Sequence, residues 1–268
     1  MSFSVGIIGL PNTGKSTLFK ALTKKQVAIA DYPFTTIEPN IGTVAVPDER
    51  LEKIAQIVKS EKVTKTVIEF VDIAGLVKGA HKGEGLGNQF LSYIRPCDGV
   101  IEVVRCFDKN NHSEEDIKII DNELKMKDQE LNDNVLSSKP KIYLFNIKGN
   151  EEFPKINLKD EADMADLSEV EIKELGIKSQ LDQLILACYN ILDLITFYTI
   201  AGGKEARAWT LKKDSSILEA ATKVHTDFAE KFIKAKVITW QEFLKSGSWK
   251  IVGKEYIVRD GDIIEFKI

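Results

Sequence analysis

Gly9-Leu10-Pro11-Asn12-Thr13-Gly14-Lys15-Ser16 is the stretch on which the reading of this 268-residue chain turns. Its spacing is GxxxxGK[ST]. Ser4–Leu10, just before and into it, is an apolar run ended by Gly and Pro, which predicts a buried strand. After it, Lys15–Leu22 sets Leu18, Ala21 and Leu22 on one helical face. A glycine-rich turn between a strand and a helix is the context in which backbone N–H groups converge on phosphate oxygens. Glycine is required there wherever a side chain would collide or φ is positive. Lys15 carries a fixed positive charge to the β- and γ-phosphates, and Ser16 offers a hydroxyl to Mg2+. The helix adds the partial positive charge of its N-terminus. The cradle therefore predicts binding of a purine nucleoside triphosphate with Mg2+ through Asn12, Thr13, Gly14, Lys15, Ser16 and Thr17, and cleavage of its γ-phosphate.

Working outward, Thr66–Ile73 reads as a second strand and closes on Asp72-Ile-Ala-Gly75, a DxxG at a strand end. Asp72 would reach Mg2+ through a water, and the Gly75 N–H would touch the γ-phosphate. Between cradle and DxxG lies Asp31-Tyr-Pro-Phe-Thr-Thr36-Ile-Glu-Pro, with two threonines bracketed by prolines. One of Thr35 and Thr36 is expected to close over Mg2+ and the γ-phosphate. Gly99–Arg105 and Lys141–Asn146 are further strands. Helices are expected at Glu49–Val58, Gly87–Ile94, Ile117–Leu131 and Gln180–Leu194. Strands alternating with helices imply parallel βαβ units, hence an α/β, doubly wound sheet with its ligand at the carboxyl ends of the strands. Beyond a boundary near Ile195–Gly203 the pattern changes to strands around one helix at Ile217–Phe232. The expected domains are 1–195, with a helical insertion at about 108–140, and 196–268.

Composition narrows the function classes. Hydrophobic residues at 43% and charged residues at 29% exclude wholesale disorder. Cys97, Cys106 and Cys188 are scattered, with no CxxC pair, which argues against a disulfide framework or structural zinc and fits a reducing compartment. No secretory leader is expected, since the first residues lack a basic n-region and a long apolar h-region, and no apolar run approaches the roughly 20 residues needed to span a bilayer. The expected location is cytoplasmic. Net charge is −4, yet from Thr196 onward 13 Lys and Arg face 10 Asp and Glu. A mildly basic C-terminal module beside an acidic N-terminal one is compatible with an RNA contact, and equally with chance.

GLPNTGKST, DYPFTTIEPN, DIAGLVKGAHKGEGLGNQFL and IRPCDGVIEVVRCF together resemble the YchF or Obg-like ATPase family, relatives of the Obg GTPases. KEARAWTL, KVHTDFAEKFIKA and KEYIVRDGDIIEF resemble that family's TGS domain, a ubiquitin-like β-grasp. The resemblance runs from Val5 to Ile268. It implies a Ras-like P-loop NTPase sheet carrying a shortened helical insertion, followed by the β-grasp domain. It selects Thr36 over Thr35, and implies a switch protein that meets the ribosome or translation factors in translation or stress control. No DNA or membrane partner is expected, and a monomer is favoured.

Base preference follows from Asn146-Ile147-Lys148-Gly149. A guanine site of this class carries NKxD, whose aspartate accepts the guanine N–H groups; here glycine stands at that position. Losing such an acceptor removes on the order of 1–3 kcal/mol of preference per good hydrogen bond. ATP is therefore favoured, read by Asn146 and the backbone near Ile147, with GTP as the alternative if Glu151 or Glu152 substitutes for the missing carboxylate. The residue after DxxG is Leu76, which cannot orient water. Three candidates remain for that role: His112, the nearest match to a family-like catalytic histidine; a K+ ion beside Asn12; and the glycine-rich stretch 79–87 with His81. The rival to a switch enzyme is a nucleotide-gated binding protein with incidental hydrolysis. Only 33 residues, Asp108–Pro140, fill the interval in which the family has a long coiled coil, and the crossover from Asn146 to Asn157 is too short for a helix. A third short interval lies near Ser246–Lys250.

Overall fold

The computed structural model of the chain describes residues 3–24, 40–73, 91–107, 113–149, 151–176, 178–202 and 204–268. The first elements in chain order are β1 (Ser4–Ile8), α1 (Lys15–Lys24), β2 (Asn40–Ala45), α2 (Glu49–Val58), β3 (Lys62–Thr64) and β4 (Val67–Asp72). Then come β5 (Gly99–Arg105), α3 (Ser113–Leu131), β6 (Lys141–Asn146), β7 (Lys155–Ile156), α4 (Leu158–Met164), α5 (Glu169–Leu175) and α6 (Leu181–Ile191). The remainder holds β8 (Leu194–Ala201), β9 (Glu205–Lys212), α7 (Ile217–Val224), α8 (Thr226–Glu230), β10 (Lys234–Thr239), α9 (Trp240–Leu244), β11 (Lys250–Val252) and β12 (Asp262–Lys267). The chain divides into two compact units: Met1–Ala45 with Ile68–Ile191, and Val46–Val67 with Leu192–Ile268.

The first unit is built on a six-stranded sheet of order β2-β4-β1-β5-β6-β7. β4, β1, β5, β6 and β7 pair in parallel. β1 and β5 are buried almost throughout, as continuous apolar runs in the middle of a parallel sheet should be. The chain turns from one side of β1 to the other, so the loop after β1 sits at the point where strand order reverses, where ligands of such sheets bind. α1 buries Leu18, Ala21 and Leu22, the stripe the sequence pattern marks. Ile8, Val71, Ile73, Ile94, Val100, Ile120 and Leu124 form a core between sheet and α3. β7 joins β6 in parallel through the eight residues 147–154, without a crossover helix.

The second unit has its own six-stranded sheet, β11-β10-β12-β8-β9-β3. β8 and β9 form an antiparallel hairpin, β12 lies parallel to β8, and β10 pairs antiparallel with both β12 and β11. One face carries Ile195, Phe197, Leu211, Ala235, Val237 and Ile264, packed on Ile217, Ala220 and Ala221 of α7. The other carries Tyr198, Ala206, Ala208, Ile238 and Ile263, packed on Leu51, Ile54 and Ala55 of α2.

Three expectations are corrected. The helix at Glu49–Val58 forms over those residues, but it belongs to the second unit, not to the helical layers of the first, so residues 46–67 interrupt the expected contiguous 1–195 block. The reason is its apolar stripe, which covers the exposed side of the second sheet. The expected helix over Gln180–Leu194 stops at Ile191, and the expected boundary near Ile195–Gly203 falls inside and just after β8. The expected helix at Ile217–Phe232 is broken at His225, whose backbone is extended (φ −166°, ψ 141°) and whose Nδ1 accepts from the Asp227 N–H at 3.2 Å, capping α8.

Candidate functional site

The loop from Gly9 to Gly14 folds tightly under β5 and β6. A Cβ on Gly9 would stand 2.6 Å from the Val103 carbonyl oxygen, and one on Gly14 2.7 Å from Asn146 Nδ2, with φ positive at both. A side chain at Gly9 would press on the backbone of β5, and one at Gly14 on the Asn146 and Leu158 side chains, each from a backbone conformation that favours glycine. Thr13 is buried and its hydroxyl donates to the Leu10 carbonyl at 3.1 Å. Lys15 Nζ crosses the loop and donates to the same carbonyl at 2.7 Å. The Leu18 N–H bonds back to the Gly14 carbonyl, so the amides that precede it are the orphan donors of the first turn of α1. Asn12 is left-handed (φ 62°) with an exposed side chain, and Thr17 is half-buried in that first turn.

Asp72 enters from the neighbouring strand. The β1–β4 register sets it opposite Ile7, two residues before Gly9. Its carboxyl is held down by the nearby Ser16 hydroxyl and by the charge of Lys15. Burial pulls the Lys15 ammonium below its ordinary pKa, an effect that Asp72 partly offsets. At Asp72, burial outweighs both Ser16 and Lys15 and raises the carboxyl above its ordinary value. A buried cation, a hydroxyl and a carboxylate thus converge at the mouth of a loop lined with backbone donors. That set fits a magnesium-bound polyphosphate: Lys15 and the amides are donors for phosphate oxygens, and Ser16 with Asp72 offers Mg2+ two oxygen ligands, one of them through water. Among the described residues no group of three or more His, Cys, Asp or Glu converges on a metal position.

Asn146 is where the structure adds most. Its Nδ2 donates to the Thr13 carbonyl at 2.9 Å and its Oδ1 accepts from the Leu158 N–H at 3.2 Å. It clasps the cradle to the start of α4. The N–H of Ile147 is committed to the Ile156 carbonyl at 3.0 Å, in the β6–β7 ladder. Gly149 has φ +92° and nothing within 4 Å of the place a Cβ would occupy. Space therefore does not keep a carboxylate out; residue identity and backbone conformation do. The Glu151 carboxylate is paired with Lys155 at 2.6 Å. Thr36, Gly75, Leu76, His81 and His112 lie outside the described residues. Leu158, which sequence reasoning did not single out, is reachable only through the N-cap signal of Asn157, whose Oδ1 accepts from the Lys159 and Asp160 amides.

Fold and site together define a P-loop nucleotide-binding protein of the GTPase fold class. A family model described as 50S ribosome-binding GTPase matches residues 4–147, and the YchF-GTPase C-terminal model, itself described as a protein of unknown function, matches 194–268. The ribosome-binding ATPase YchF of Escherichia coli O157:H7 is 36% identical over 360 aligned residues, covering 99% of both chains. That of Bacillus subtilis (strain 168) is 36% identical over 364, covering 100% of this chain and 99% of its own. The solved structure of the Schizosaccharomyces pombe YchF GTPase is 28% identical with a TM-score of 0.80, covering 99% of this chain and 98% of that one. The chain belongs to the YchF family. An alignment of 360 positions against 268 residues leaves at least 92 positions at which this chain has no counterpart to the E. coli protein, although it spans that protein end to end.

Proposed function

We propose that this chain is a Mg2+-dependent ATP hydrolase that works as a molecular switch on the ribosome. The observation that carries the reading is the convergence of Lys15, Ser16 and Asp72 at the carboxyl ends of β1 and β4, behind a loop whose Gly9 and Gly14 both adopt positive φ. In this reading Lys15 and the amides of Gly14–Thr17 hold the β- and γ-phosphates. Water adds to the γ-phosphorus as the bond to the bridging oxygen breaks, and Lys15 and the N-terminus of α1 take up the charge that builds on that oxygen. Mg2+, held by Ser16 and through water by Asp72, supplies further charge neutralisation when bound. Thr36 and Gly75 are assigned to the γ-phosphate and to its release after cleavage. His112 is assigned to orienting the attacking water, and Asn12 to a K+ ion.

Adenine is favoured because Gly149 brings no carboxylate to the base and Glu151 is held by Lys155. Asn146 acts first by fixing the cradle, and the base is then met by it and the backbone near Ile147. The second unit supports a TGS-type β-grasp reading: a β8–β9 hairpin, a helix, then β10, β11 and β12, with the first and last strands parallel neighbours at the centre. The relatives named ribosome-binding ATPases support ribosome contact; contact through the second unit, with RNA as the touching surface, by a monomer in the cytoplasm, is part of the same proposal. No described helix is long and apolar enough to cross a membrane. Phosphate release from ATP, with and without ribosomes, tests the reading. Stimulated release supports the switch; ribosome binding with release unchanged would favour a nucleotide-gated binder.

A further inference from the structure

Residues 46–67 leave the nucleotide-binding sheet after β2 and return to it at β4, and everything between is built into the second unit. α2 buries Leu51, Ile54 and Ala55 against Tyr198, Ala206, Ala208, Ile238 and Ile263. β3 adds a parallel edge to β9, pairing Lys62, Val63 and Thr64 with Glu205, Ala206 and Arg207. Polar fastenings secure both ends of the segment. Arg50 bridges Asp48 at 2.8 Å and Asp260 at 2.5 Å, and the Tyr198 hydroxyl donates to Asp48. Thr64 donates to Glu205 at 2.7 Å, and the Thr66 and Thr210 hydroxyls are hydrogen-bonded to each other. The Val46 N–H bonds the Thr66 carbonyl at 2.9 Å and closes the neck. One strand leaving that neck is β4, only six residues long, whose last residue is Asp72, at the cradle beside Lys15 and Ser16. A hydrogen-bonded strand in mid-sheet is stiff, so a change in where Asp72 sits is transmitted along it rather than absorbed.

We propose that the 46–67 segment is a coupling element, which makes the packing of α2 and β3 in the second unit and the binding of magnesium–nucleotide at the cradle thermodynamically dependent on one another. The proposal rests on the nucleotide reading above and adds the route by which a partner of the second unit regulates the site. Linkage makes the effect reciprocal: whatever grips the second unit changes nucleotide affinity by the factor by which nucleotide changes that grip.

Hydrogen exchange on the full chain, with and without a non-hydrolysable ATP analogue and Mg2+, is the first arm. Altered protection is expected in Glu49–Val58 and in the paired β3 and β9, with α7, on the opposite face of the same sheet, unchanged. The second arm uses Arg50→Met and Asp260→Asn, which loosen the anchor far from the cradle. Each is expected to shift analogue affinity by about fivefold or more. Exchange changes confined to the first unit, or spread evenly over the second, would overturn the coupling. So would both variants binding within about twofold of the parent. Failure of the parent chain to bind the analogue at all would instead remove the nucleotide reading, and the coupling with it.

Discussion

At the scale of single residues, Lys15 illustrates how a functional site works against stability. Burial of its ammonium depresses its pKa, so at neutral pH the folded chain holds a charge that the unfolded chain would keep in water. Lys15→Met is expected to raise the Tm of the nucleotide-free protein while reducing hydrolysis by about a hundredfold or more. Calorimetry and a phosphate-release assay on the same preparation check both signs. Glu102 is a second buried charge, on β5, paired with Lys141 at 2.9 Å while Lys141 also holds Asp121 of α3. Burial outweighs Lys141 and pushes the Glu102 carboxyl up to about 7. Its folded pKa is thus above its unfolded value of about 4.3. Its contribution to stability is complete below that value and is lost as pH rises through 7, by about 1.4 kcal/mol per unit within the window. Urea midpoints at pH 5 and pH 8 should differ less in Glu102→Gln than in the parent; an unchanged difference would mean that another group titrates there.

At the scale of elements, the strand and the helix that flank the cradle were legible because their signals are local: an apolar run ended by Gly and Pro, and a helix with one apolar stripe. α2 was equally legible as a helix, but not in its destination. Its stripe of Leu51, Ile54 and Ala55 says that a face is buried and nothing about what buries it. β3 has three residues and gives no periodic signal. The role of Asn146 was illegible for a related reason, since its bond to Thr13 spans 133 residues and depends on sheet order. It separates two accounts of that residue. If Asn146 fixes the cradle, Asn146→Ala lowers affinity for ATP and for inorganic tripolyphosphate by similar factors, and costs about 1–3 kcal/mol of stability. If it only reads the base, tripolyphosphate binding is untouched. Isothermal titration with both ligands distinguishes the two.

For the whole molecule, the parallel βαβ character of the first sheet follows from sequence pattern, but neither the order of the strands nor the division of the chain does. The second unit takes 46–67 from within the first, because its sheet needs an apolar cover on both faces and the C-terminal residues supply only α7 with the short α8 and α9. A fragment of residues 192–268 is therefore expected to fold less stably than the same unit in the full chain. Leu51→Ala in the full chain should cost about 2–5 kcal/mol in the unfolding of that unit. Denaturation followed by Trp209 and Trp240 fluorescence reads both. The central claim, an ATP-selective P-loop hydrolase, is tested most directly by displacing a labelled ATP analogue from the full chain with unlabelled ATP and with GTP in Mg2+. ATP should displace it at the lower concentration. Displacement by GTP far below the concentration that ATP requires would contradict the account.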